Sequence, residues 1–319
     1  MKKLYFLIIF ILIITVTSYL YYKEGTLPVN KNDQSTKIFV ITRGESLNTI
    51  AKKLANEGLI RNKIVFYLAV KKLGLERKIQ AGDFRLSPSM DVYQIAKTLT
   101  HGTLDIWVTF IEGMRKEEMA QIVSNQFNIP EIEFIKLAKE GYLFPDTYLI
   151  PKAATAGSII NILENNFHKK FDKSLQEKAI RQNLTPDEAI IIASLVEREA
   201  KFDEDRPLVA SVILNRLKLG MKLDIDATVQ YALGYQPEEK SWWKKNLTKD
   251  DLEIDSPYNT YKNQGLPPTP IANPGLKSIK AVINAPKTDY LYYLSDKKGK
   301  IHFAKTLEEH NKNMEKYLR

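Results

Sequence analysis

The sequence predicts an α+β protein in three parts: an N-terminal transmembrane helix, a small α+β region, and a larger C-terminal α+β domain. Three observations predict it. The chain opens on an uncharged apolar run, short strand-turn-helix units then recur, and beyond them helical spacing dominates around one almost wholly apolar helix. At 319 residues there is room for two or three domains, and 44% hydrophobic content is ordinary for a globular protein.

Residues 1–3 form a basic tail, with Lys2 and Lys3 placing that end in the cytoplasm. Residues 4–22 carry no formal charge and, at ~1.5 Å per residue, nearly match a ~30 Å hydrocarbon core. Tyr19, Tyr21 and Tyr22 suit the far interface. A cleaved signal peptide is the rival reading, but no A-x-A site follows the run. The chain beyond Tyr22 is therefore expected outside the cytoplasm. Residues 23–37 are a polar linker.

Over 38–105 the spacing predicts two strand-turn-helix units. Leu47, Ile50, Ala51 and Leu54 fall at i, i+3, i+4, i+7, and Val92, Ile95, Ala96 and Leu99 repeat the interval. A third unit follows within 106–152, where Gly113 leads into Met119 and Ala120. Such units pack small domains. Their arrangement also resembles LysM-like modules, which implies binding to N-acetylglucosamine-containing glycans.

The domain at 153–319 begins with helices over 156–169, capped by Thr155, and 173–182. The next helix organises the rest. Thr185 and Glu188 form a capping box, Pro186 suits the first helical position, and 189–196 has almost no polar face. A helix over 206–219 closes at Gly220. A short one over 226–234 could be capped by Asp226. Residues 236–255 read as a polar loop holding Trp242 and Trp243, and 258–275 as a rigid, turn-rich segment. A helix over 279–284 and a hairpin pairing 290–294 with 300–303 complete the domain.

The apolar helix ends in Glu197-Arg198-Glu199. A carboxylate partly withdrawn from water has its pKa raised and can serve as a general acid near neutral pH. The two glutamates lie roughly 200° apart at ~100° per residue, so one of them faces a given cleft. Glu197 continues the row Ile190, Ala193, Ser194, which grows less bulky and slightly polar. Glu199 continues Ile192, Leu195, Val196, which looks like core. The row favours Glu197; equally, these carboxylates could be a helix end paired with Arg198 or Lys201.

Composition narrows the chemistry. The absence of cysteine removes disulfides, thiolate sites and cysteine nucleophiles, and the four histidines show no zinc spacing, so neither metal nor cofactor is expected. A net charge of +9 suits anionic surfaces, yet no aromatic-basic motif points to nucleic acid. Ser241 and Ser295 each begin an S-x-x-K, but the companion motifs of a serine acyl enzyme are missing.

In order along the chain stand Ser194-Leu-Val-Glu-Arg-Glu199, Val212-Ile-Leu-Asn-Arg-Leu217, Asp226-Ala-Thr-Val-Gln-Tyr231, Tyr258-Asn-Thr-Tyr261, Gly265-Leu-Pro-Pro268, Ile271-Ala-Asn-Pro-Gly275 and His302-Phe303. Together they resemble the YceG-like (MltG-like) family of endolytic murein transglycosylases. The resemblance implies a protein of the cytoplasmic (inner) membrane, anchored by one pass, with its bulk on the periplasmic or wall side. It implies cleavage, without water, of the β-1,4 bond between N-acetylmuramic acid and N-acetylglucosamine in nascent peptidoglycan glycan strands. The products would carry 1,6-anhydro ends, terminating elongation.

The same resemblance places the catalytic glutamate on Glu197, first as general acid, then as base. Asn215, Asp226, Thr228, Gln230, Asn259 and Tyr261 are expected to bind substrate, although capping and turn stabilisation account equally well for Asp226, Asn259 and Tyr261. Arg216 and His302 are expected to support the site, and Gly265-Leu-Pro-Pro268 to shape its wall. Peptidoglycan synthases of the penicillin-binding class are the expected partners. Two rivals stay open: a hydrolytic muramidase using Asp226 as second carboxylate, and a non-catalytic glycan-binding scaffold.

Overall fold

The computed structural model describes residues 2–100, 105–152 and 154–318, with side chains from residue 9 onward. Residue 1 of the expected 1–3 tail and residues 101–104 of the expected 38–105 region, His101 among them, lie outside these residues. The chain divides into two compact units, one of residues 1–107 and 149–153, the other of 108–148 and 154–319.

The first unit holds α1 (Lys2–Gly25), β1 (Lys37–Ile41), α2 (Leu47–Asn56), α3 (Lys63–Lys72), β2 (Gly82–Leu86) and α4 (Val92–Thr98). Strands β1 and β2 pair antiparallel, setting Phe39 opposite Phe84. Both rings are buried, together with the expected stripes Ile50, Ala51, Leu54 and Val92, Ile95, Ala96, Leu99. Ser46 caps α2, and Asp91 with Gln94 forms a capping box on α4. Helix α3 was not expected, because Ile64 and Leu68 are exposed apolar residues that blur its period.

Among the described residues no helix is long and apolar enough to cross a membrane. The expected span over 4–22 begins on residues 4–8, whose side chains are not described. From Ile9 to Ile14 the apolar side chains of α1 are 47–61% exposed, so this part of the helix has no buried face.

Strands β3 (Asp105–Thr109) and β4 (Thr147–Pro151) pair where the chain changes unit. The second unit carries α5 (Lys116–Phe127), α6 (Glu131–Leu137), α7 (Ala156–Lys170), α8 (Lys173–Arg181), α9 (Pro186–Glu199), α10 (Arg206–Lys218), α11 (Asp226–Leu233), α12 (Lys249–Leu252), α13 (Leu276–Ile283), β5 (Tyr292–Ser295), β6 (Ile301–Ala304) and α14 (Leu307–Tyr317). The segment expected as a third repeat and connector packs here with the later helices. Asn273 ties it in: its Oδ1 accepts from the backbone of Gly141 and Leu143, and its Nδ2 donates to Glu140 Oε1 at 2.8 Å.

Helix α9 is the core of this unit. Thr185 Oγ1 accepts from Glu188 N while Glu188 Oε2 accepts from Thr185 N, with Pro186 at the first turn. Ala189, Ile190 and 192–196 are buried beneath α8, α10, α11 and α13. Each buried Ile or Leu contributes about 1.5–3 kcal/mol. Ser194, the polar member of that stretch, is satisfied: its Oγ donates to Ile191 O and accepts from Ile271 N.

Three local expectations change. Asp226 is the first residue of α11, not its cap; the N-cap is Ile225, with no side-chain bond. Helix α13 starts at Leu276, because Gly275 already turns the chain into it. Within the expected polar loop, Thr248 and Asp251 cap the short α12.

Candidate active site

Glu197 and Glu199 leave the end of α9 in different directions, as the helical angle requires. Glu197 is engaged on both oxygens. Oε1 accepts from Arg206 Nη2 at 2.9 Å and Oε2 from Gly275 N at 2.9 Å. The pair is withdrawn from water, with side chains 4% and 9% exposed. It joins the end of α9 to the starts of α10 and α13. The approach is tight: a Cβ on Gly275 would overlap the Glu112 carboxylate. Burial, then the charge of Glu197, raises the pKa of Glu112.

Glu199 instead lines an open cavity of about 570 Å³, shared with Asp226, Tyr261, Tyr292, Tyr293 and His310. Its Oε2 accepts from the Tyr293 hydroxyl at 2.9 Å. Burial pushes its pKa up to about 7, and the negative charge of Asp226 adds to the rise. Hydrogen bonds from Tyr293 and the Ala227 backbone, with the Arg198 charge, pull the other way. Asp226 Oδ1 accepts from the Tyr261 hydroxyl at 2.6 Å. Both tyrosines have raised pKa values, from burial first and then from their carboxylate partners. The arrangement offers a carboxyl group able to hold a proton near neutrality, a second carboxylate, and phenol donors in one cavity.

The model of the YceG-like family matches residues 39–316. This chain belongs to that family.

Relatives agree along nearly the whole YceG-like chain. The endolytic murein transglycosylase of Bacillus subtilis (strain 168) is 36% identical, across 94% of this chain and 90% of its own length. That of Streptococcus pneumoniae (strain ATCC BAA-255 / R6) is 30% identical across 94% of this chain. The match spans 62% of the pneumococcal protein's length. Among solved structures, a YceG-like protein from Listeria monocytogenes superposes with a TM-score of 0.59 at 32% identity, covering 87% of this chain and 99% of that one.

Of the residues expected to bind substrate in this YceG-like chain, Asp226 and Tyr261 reach the cavity. The others do not line it. Asn215 Nδ2 donates to the carbonyls of Thr288 and Tyr290, holding the segment before β5. Thr228, fully buried, donates to Ile225 O and pairs with Thr260 Oγ1. Gln230 Nε2 donates to Lys244 O, and Asn259 Nδ2 to the carbonyls of Leu252 and Ile254. Thr228, through Thr260, and Asn259 fix the loop that carries Tyr258 and Tyr261.

Arg216 lines the cavity wall and lies 5.2 Å from the Tyr292 ring, with Nε donating to Leu291 O. His302 does not line the cavity; it pairs with Asp296 and stacks on Tyr317 at 3.5 Å. Neither S-x-x-K forms a nucleophile with its lysine: Ser241 Oγ donates to Trp243 O, Lys244 pairs with Asp251, and Ser295 is an exposed strand residue. The cavity also holds Glu199, whose helical row looked like core in the sequence, and Tyr292, Tyr293 and His310, which the sequence did not single out. The adjacent tyrosines were legible as hairpin residues, but nothing in the linear pattern aimed them at α9.

Proposed function

We propose that this YceG-like chain is, like its named relatives, a murein transglycosylase: a lyase that cuts peptidoglycan glycan strands internally, with Glu199 as general acid and then base. The observation that carries the assignment is the cavity-lining carboxyl group of Glu199, whose pKa is pushed up to about 7. Protonated Glu199 would give its proton to the glycosidic oxygen between N-acetylmuramic acid and N-acetylglucosamine. The substrate's own C6 hydroxyl then attacks C1, and Glu199 takes the proton from that hydroxyl. A 1,6-anhydro end results. Because the nucleophile belongs to the substrate, proximity replaces the positioning of water.

This reading moves the acid from Glu197, the residue the sequence favoured, to its neighbour. Both oxygens of Glu197 are engaged, with a buried guanidinium and a backbone amide. An acid so held is poorly placed to meet a sugar. Asp226, kept in place by Tyr261, would face the positive charge that develops at C1. Its presence beside Glu199 also supports a second reading, a hydrolytic muramidase with two carboxylates. Digestion of purified strands separates the two, since a hydrolysed end is one water heavier than an anhydro end. Loss of anhydro products in Glu199→Gln supports the proposal; their undiminished release refutes it.

The same reading sets the enzyme at the cytoplasmic membrane, facing the wall. The uncharged run at 4–22 and the unburied apolar face of α1 support an anchor there. The region at 38–105, with its LysM-like sequence pattern, would hold N-acetylglucosamine-containing strands, and peptidoglycan synthases are the partners that make them.

A further inference from the structure

A second cavity lies in the same unit as Glu199 and shares its supporting elements. It measures about 310 Å³ and is edged by Tyr142, Tyr231 and Tyr258, with Lys116 and Lys139 beside them. Helix α9 gives Ile191 to this cavity and Glu199 to the first, positions ~12 Å apart along the axis. Helix α11 gives Tyr231 here and Asp226 there. The Tyr258–Tyr261 loop supplies one tyrosine to each, and between them Asn259 and Thr260 are buried and bonded to their surroundings. The two cavities are thus held at a fixed separation.

The second cavity is built for more than packing. Tyr231 and Tyr258 lie 4.8 Å apart, tilted, and Tyr142 carries Lys139 over its ring at 3.7 Å. Lys139 covers a face of Tyr142 and Arg115, at 4.0 Å, a face of Tyr231, which leaves Tyr258 to cover the apolar side of a sugar ring. Neither Lys116 nor Lys139 forms an ion pair among the described residues. At the cavity floor Glu140 is 5% exposed, accepting from Lys116 N and Asn273 Nδ2. Burial pushes its pKa up to about 8, so the carboxylate facing the two lysines is Asp187, which also lines the cavity and accepts from the Tyr142 hydroxyl.

We propose that this cavity is a distal subsite that binds a sugar of the same glycan strand carrying a carboxylate-bearing substituent, with Tyr258 against the ring and Lys116 and Lys139 on the carboxylate. The proposal rests on the glycan-cutting reading above. It explains an internal cut: a strand long enough to fill both cavities binds better than a short end.

The test compares Lys139→Glu and Lys116→Ala with wild type on long strands and on a murein fragment of two disaccharide units. On long strands KM should rise roughly tenfold, with kcat unchanged, as for a lost charged hydrogen bond. The short fragment should be cut as before. Unchanged KM on long strands, or equal losses on both substrates, overturns the subsite. Titration of Glu199→Gln protein with a murein hexasaccharide and with chitohexaose isolates binding from turnover. Lysine dependence confined to the murein ligand supports the proposal, and equal dependence for both overturns the carboxylate assignment. If wild type binds strands with this length and lysine dependence but cuts none, the catalytic reading fails and the subsite stands.

Discussion

The Tyr293 hydroxyl donates to Glu199 Oε2 at 2.9 Å, joining the C-terminal hairpin to the end of the central helix. This bond favours the charged carboxylate and so opposes the burial that raises the Glu199 pKa. Tyr293→Phe removes the opposing influence. The pKa of Glu199 should then climb further, and the alkaline limb of the kcat/KM profile should move to higher pH. A profile measured on both proteins with the same strands checks this; an unshifted limb would detach Tyr293 from the acid.

The wild-type profile itself carries a sign. An acid that must start protonated works below its pKa. With Glu199 raised to about 7, kcat/KM should fall as pH rises through that region. In Glu199→Gln the residual rate should be roughly 10²–10⁴-fold lower and should lose this limb.

How much of this was legible beforehand divides along a physical line. Local chemistry was: Thr185, Pro186 and Glu188 announce the start of α9, and its apolar run announces burial. The choice between Glu197 and Glu199 was not. Both rows of the helix are buried, so bulk along a row does not separate core from cleft. What separates them is partners: Arg206 and Gly275 for Glu197, and Tyr293, 94 residues further on, for Glu199. Asp226 shows the same limit. Its place at a helix start is local and was found, whereas its bond to Tyr261 depends on how a distant loop packs. Asn215 and Asn259 look like sugar-binding amides in the sequence, but backbone carbonyls claim them.

Glu197 should prove structural. Glu197→Ala leaves the buried Arg206 guanidinium with Asp203, at 3.6 Å, as its remaining carboxylate, and breaking a pair of this kind costs up to about 3–5 kcal/mol. Glu197→Gln keeps an acceptor and should lose less. Chemical denaturation of the two variants and of Glu199→Gln gives the comparison. Destabilisation by Glu197→Ala, alongside residual anhydro-product formation in Glu197→Gln, is the expected pattern. A fully inactive but stable Glu197→Gln would restore Glu197 as the acid.

Gly275 should tolerate no side chain. A Cβ there would overlap the Glu112 carboxylate, and the backbone N–H it presents is one of the two groups holding Glu197. Gly275→Ala should therefore lower the melting temperature. The double variant Gly275→Ala with Glu112→Ala opens the space and should recover part of the loss, a coupling that a thermodynamic cycle reads directly.

Glu140 predicts how stability varies with pH. Burial raises its pKa from an ordinary value near 4.5 to about 8 in the folded protein. Between those two values the folded state therefore holds a proton that the unfolded chain has released. Stability from this group is highest below about 4.5, falls as pH climbs toward 8, and changes no further above it. Glu140→Gln has no proton to lose and still offers an oxygen to Asn273. Its melting temperature, measured across pH 5 to 9, should decline less steeply than that of wild type. Parallel curves would mean that the carboxylate keeps its charge when buried, with Lys116 N–H and Asn273 supplying the compensation.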